Sequence, residues 1–179
     1  MGGLYRGPLT KTYSSLGPDT PPLGAIVWEK DSNGYLNGYI FVKNAESSSA
    51  LVTKRPVYRD ITGGAAQVKL VASNTASLFA GIPMAAIKAG EYGWVQFYGY
   101  CADAKVVGDG TNAVAVYSPL SVNGTGASAN LVRAGAAGAD AAYPNYAIAL
   151  EATSDATSEE DKDVLLVCLA AWGAAPTEV

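Results

Sequence analysis

The chain has 179 residues, a formal net charge of −4 and no histidine, and only 16% of its residues are charged. That length suits one domain, with or without an arm. The missing histidine excludes Ser–His and Cys–His nucleophilic catalysis and removes the commonest metal ligand. So thinly charged a chain, against about 25% on average, suggests a surface partly covered by other protein.

Residues 1–23 carry Gly2, Gly3, Gly7, Pro8, Gly17, Pro18, Pro21 and Pro22. This density of Gly and Pro disfavours helix and sheet alike, and predicts an extended arm. Leu4, Tyr5, Leu9, Tyr13 and Leu16 make the arm more apolar than a solvated tail needs, so it is either a disordered terminus or a segment that docks on a partner. The opening MGGLYRGPLTKTY has no apolar core of a signal peptide, and synthesis in a cytosol is expected.

In GAIVWEKDSNGYLNGYIFVKN, strands near 25–30 and 38–43 flank a turn at Asp31-Ser32-Asn33-Gly34. ALVTKRPVYR (50–59) reads as a strand, with Pro56 marking an edge or bulge. AAQVKLVA (65–72) alternates as a strand should. Ser73 or Asn74 would cap a short helix ending at Gly81. AGEYGWVQFYGY (89–100) then packs five aromatic rings into one strand. One face holds Tyr92, Trp94, Gln96, Tyr98 and Tyr100; the other holds Gly93, Val95, Phe97, Gly99 and Cys101. Neither face suits water, so the strand is central or lies at a subunit contact.

Further on, Gly108-Asp109-Gly110 turns into a strand at Ala113–Tyr117, and Asn123-Gly124 turns toward Ala127–Arg133. NYAIALE (145–151) is a strand, Ser154–Asp163 an acidic turn, and VLLVCLAAW (164–172) an uninterrupted apolar strand, hence a central one. Eight to ten short strands with regular turns predict an all-β barrel or sandwich. No repeat is visible in the sequence.

Chemistry-bearing patterns are sparse. Cys101 and Cys168 sit in apolar runs and read as buried free thiols. GDGT (108–111) and GTGAS (124–128) lack the following helix of a phosphate loop and read as turns. Asn123-Gly124-Thr125 matches a glycosylation sequon but reads as a turn. Asp155, Glu159, Glu160, Asp161 and Asp163 lack the spacing of a calcium loop and read as a solvated turn. Residues 1–59 carry a net +3 and residues 60–179 a net −7, an asymmetry that favours head-to-tail contacts. No dense basic patch points to nucleic acid, and no run approaches the ~20 apolar residues that span a bilayer.

FAGIPMAAIKAGEYGWVQFYGY (79–100) resembles a stretch of small virion proteins of tailed bacteriophages. NYAIALEATSDATSEEDKDVLLVCL (145–169) is similar to the closing hairpin of phage head decoration proteins, and GDGTNAVAVYSPL (108–120) to an intervening segment. The resemblance covers roughly residues 68–170. It implies a capsid decoration (cement) protein that binds the outer capsid surface and clamps neighbouring capsomers. Such a protein is not an enzyme, needs no cofactor or metal, is often a homotrimer and has the major capsid protein as its partner. It is made in the host cytoplasm and carried on the virion.

The expectation is therefore an all-β protein: one β-tulip-like barrel or sandwich over 24–179, with 24–60 as a peripheral hairpin subregion, an extended arm at 1–23 and at most one short helix. The candidate interface is Leu4, Tyr5, Leu9, Tyr13, Tyr92, Trp94, Tyr98 and Tyr100. Two alternatives stand beside this reading: another phage component of the tail, neck or fibre, or a carbohydrate-binding β module.

Overall fold

The computed structural model describes residues 7–64, 66–72, 78–133 and 145–167. Among these residues, ten strands run in chain order: β1 (Ile26–Lys30), β2 (Leu36–Asn44), β3 (Val57–Arg59), β4 (Gln67–Leu70), β5 (Phe79–Pro83), β6 (Tyr92–Val107), β7 (Pro119–Asn123), β8 (Asn130–Arg133), β9 (Ala147–Ala149) and β10 (Glu160–Val167). The all-β expectation holds. Most of the proposed short helix, residues 73–77, lies outside the described residues, and Phe79–Gly81 belong to β5.

Strand pairing follows the order β1-β2-β4-β3-β5-β6-β10-β9-β7-β8, and two further pairings, β2 with β6 and β6 with β8, close it into two circuits. The first circuit is β2-β4-β3-β5-β6 and the second is β6-β10-β9-β7-β8. In each, the first strand in the chain pairs in parallel with the third: Lys43 with Gln67 in one, Val106 with Leu131 in the other. Every other joint is antiparallel, and in both circuits the third strand meets the second, the second the fourth, the fourth the fifth and the fifth the first. One topology is thus used twice, with β6 as the fifth strand of one unit and the first strand of the next.

β6 serves both units because it is long and bent. Its ladder slips against β2 between Gly38 and Tyr39, and against β10 between Lys162 and Val164. Each slip leaves one extra residue on β6, a bulge that sharpens bend and twist. Between them sits Gly99 at φ +92°, where a Cβ would lie 2.4 Å from the Leu36 carbonyl oxygen; only glycine fits.

Alternation on β2 and β6 sorts the core. Ile40 and Val42 join Val57, Val68, Val95 and Phe97 in one buried cluster. Tyr39, Phe41 and Trp94, on the opposite face, form a second. The strands of the second unit enclose a third, including Val106, Leu120, Leu131, Val164 and Leu166. The first half of the aromatic strand is therefore central and covered on both sides.

Several expected boundaries shift. β2 is built into the first circuit through β4 and β6, so residues 24–60 are not a peripheral hairpin; among the described strands, only β1 stands outside the two circuits. Residues 50–59 yield one isolated bridge at Leu51 and the short β3, because Lys54 adopts φ +67° and turns the chain. Pro56 stands just before β3, where its missing N–H costs no ladder bond. Ala113–Tyr117 forms no strand: Val114 N–H donates to Thr153 Oγ1, and Tyr117 has φ +65°. β10 begins earlier than expected, at Glu160, and takes in the last four residues of the acidic turn; residues 168–172 of its expected span lie outside the described residues. The turn at Asp31–Gly34 forms as read, with Asp31 Oδ1 accepting from the N–H groups of Asn33 and Tyr35.

Candidate functional site

The six candidate interface residues that the structure describes divide into two groups, Leu9, Tyr13, Tyr92 and Trp94 in one and Tyr98 and Tyr100 in the other. Leu4 and Tyr5 lie outside the described residues. Leu9 and Tyr13 pack on the Tyr39–Phe41–Trp94 cluster of their own chain. Tyr13 N–H donates to the Tyr92 carbonyl and Tyr92 N–H to the Tyr13 carbonyl, both at 2.9 Å. The Tyr13 ring stands edge-on to Phe41 at 5.6 Å, with Lys11 Nζ 4.8 Å from its centre. The described part of the arm is thus strapped across its own domain. Trp94 is 1% exposed; it serves the core, and the interface reading of this residue is corrected.

Tyr98 and Tyr100 lie beyond the first bulge and face outward in part. Beside them stand residues that the sequence reading passed over. Trp28 on β1 is 45% exposed and Tyr35 in the β1–β2 turn is 50% exposed. The register explains the grouping: Trp28 is opposite Gly38, Gly38 opposite Tyr98, and Tyr98 opposite Val167, one row across four strands. The Trp28 ring meets Phe97 and Tyr98 edge-on at 5.5 and 5.6 Å, and Tyr35 stacks on Tyr100 at 5.5 Å. Leu36 and Val167 extend the strip with further exposed apolar surface. A signal for this strip was present in the alternation of Ile26 and Trp28; among the described residues, β1 pairs with β2 alone, which leaves large apolar side chains uncovered.

Carboxylates edge the strip. Tyr100 Oη donates to Asp163 Oδ2, and Asp163 Oδ1 accepts from Asp103 N–H. The bond to Asp163, then burial, pushes the Tyr100 phenol up to about 12, so it stays a proton donor through the physiological range. Beneath, burial with Asp163 and Asp103 nearby pushes the Cys101 thiol up to about 12. Cys101 is buried and free, as expected, and it is no nucleophile at neutral pH; Cys168 lies outside the described residues.

The acidic run lies at the surface, as a solvated turn would, but its carboxylates are paired. Arg55 grips Glu159 with both terminal nitrogens at 2.9 and 2.7 Å. Lys105 Nζ lies 2.7 Å and Lys54 Nζ 3.0 Å from Asp161. Asp155 accepts from the N–H groups of Thr157 and Ser158, and bonds from Lys162 and Ser154 hold Glu160 at about 2. Lys54 and Arg55 belong to the β2–β3 connection of the first unit, and Glu159 and Asp161 to β10 and its approach in the second. The run clamps one unit to the other. Sequence spacing could not show this, because the partners stand about a hundred positions away.

No protein family, curated protein or solved structure matches the chain.

Proposed function

We propose that the protein is a virion structural component, a capsid decoration protein that binds the outer surface of a phage head and clamps neighbouring capsomers. The observation that carries this reading is the aromatic strip in which the exposed rings of Trp28 and Tyr35 lie on the half-buried Tyr98 and Tyr100. Contiguous exposed rings at one place on a surface mark protein contact sites, and Trp and Tyr are the residues that most often carry contact energy. The resemblance of residues 68–170 to phage head decoration proteins supplies the partner, the major capsid protein. A ligand that binds the assembled shell better than its free subunits stabilises the shell by mass action. Assembly as a homotrimer would present three strips at once, so modest single contacts give high avidity. The protein would act without cofactor, nucleic acid or membrane.

Binding to undecorated capsids tests the strip. Tyr35→Ala and Trp28→Ala are expected to bind at least about tenfold more weakly, about 1.4 kcal/mol per contact, with thermal unfolding showing a retained fold. Unchanged binding by both folded variants would remove the strip from the interface.

One observation favours a second reading. The half-exposed Trp28 and Tyr35 rings beside the Tyr100–Asp163 pair also suit a glycan, whose C–H faces stack on aromatic rings while carboxylates accept from its hydroxyls. Quenching of Trp28 fluorescence by soluble oligosaccharides, abolished in Trp28→Ala, would favour that reading over capsid binding.

A further inference from the structure

We propose that Asn123 is a site of spontaneous deamidation, selected by the fold from three Asn-Gly pairs that are locally equivalent in sequence. The pairs are Asn33-Gly34, Asn37-Gly38 and Asn123-Gly124. In each, the following residue has no Cβ to hinder approach of its amide nitrogen to the asparagine side chain. The reaction needs that nitrogen to lose its proton and attack Cγ, closing a five-membered imide as ammonia leaves. Water then opens the ring at either carbonyl, giving aspartate or isoaspartate. The balance is asparagine plus water to aspartyl product plus ammonia, and solvent supplies the water.

The structure sets the three sites apart. Asn37 lies inside β2 and is 4% exposed, so the water that opens the imide is excluded. Asn33 is exposed, but Gly34 N–H donates to the Asp31 carbonyl at 3.1 Å; deprotonating it forfeits the bond that closes the turn. At the β7–β8 connection the arrangement reverses. Gly124 N–H donates to the Oδ1 of Asn123 itself, 2.7 Å away, so the bond it forfeits on deprotonation is to the side chain that reacts and not one that closes the turn. Both residues are exposed, and Gly124 sits at φ +81°. The product places a carboxylate directly opposite Asn130, whose Oδ1 accepts from Arg55 Nη1, the guanidinium that also grips Glu159. Ageing of this turn thus adds a negative charge beside the clamp between the two units. It also destroys the Asn123-Gly124-Thr125 sequon.

The test uses the purified full chain, held folded in warm, mildly alkaline buffer and sampled over time. Rapid acidic digestion and tandem mass spectrometry then score the gain of one mass unit at each asparagine, with isoaspartate confirmed by enzymatic methylation. The expected order is Asn123 several-fold ahead of Asn33, and Asn37 unconverted. A parallel sample in denaturant is expected to convert all three at comparable rates. Conversion of Asn33 as fast as or faster than Asn123 in the folded chain overturns the proposal. So does an unconverted Asn123 in the folded chain when the denatured chain reacts.

Discussion

Gly38 shows how much of this surface rests on one missing side chain. A Cβ there would lie 2.8 Å from the Trp28 ring and 2.9 Å from the Phe97 ring, closer than packed atoms come, so Gly38→Ala must displace Trp28 or strain β2. The expected cost is about 1–3 kcal/mol, read by urea unfolding, with a shift in tryptophan emission as the ring moves. An unshifted spectrum at unchanged stability would mean that Trp28 does not rest on Gly38. Asp60 is a second case. It is 5% exposed, accepts from Thr62 Oγ1 and N–H, and lies 2.9 Å from Lys69 Nζ. The Thr62 hydroxyl, then Lys69, lowers its carboxyl to about 2 from 3.8. A depressed pKa stabilises the fold above the unfolded value and loses that contribution as pH falls through the folded one. Wild type should exceed Asp60→Asn by about 2 kcal/mol near neutral pH, and the gap should close between about pH 4 and pH 2. A gap independent of pH would place the stabilisation elsewhere. Neither residue was marked in the sequence, since Gly38 lies in an ordinary Asn-Gly pair and Asp60 in an ordinary polar loop.

Among elements, β6 was the most legible and the arm the least. Five rings with interleaved glycines announced a strand that could not face water, and the first half of β6 is covered on both faces as that pattern required. What the pattern could not show was the change of surroundings within the strand. The first bulge, at Phe97, breaks the alternation, so Trp94 goes inward while Tyr98 and Tyr100 reach the strip. The arm's apolar residues called for a partner, and Leu9 and Tyr13 find it within their own chain. Tyr13→Ala is accordingly expected to cost about 1–3 kcal/mol in urea unfolding, because it uncovers the Phe41–Trp94 cluster. Stability equal to wild type would show that the strap contributes nothing to the domain. β10 was half legible: its apolar stretch read as a central strand, but Glu160–Asp163 did not, because Lys54 and Lys105, which pair with Asp161, come from distant elements.

At the scale of the whole molecule, two units of identical strand connectivity share one strand and are clamped by Arg55, Lys54 and Lys105 against Glu159 and Asp161. The all-β class followed from strand periodicity and turn chemistry. The doubling did not, because topology is set by which strands pair and the two units share no visible sequence pattern. Sharing β6 means that neither circuit closes without the other's strand, which suits a rigid part that presents one fixed surface. The aromatic strip lies where β6 passes between the units, and the proposed role in a capsid rests on that surface. The most direct test is the copy number of this protein relative to the major capsid protein in purified virions, by quantitative mass spectrometry. A decoration role predicts a ratio near one or a simple fraction set by capsid symmetry. A handful of copies per particle, or none, would contradict it.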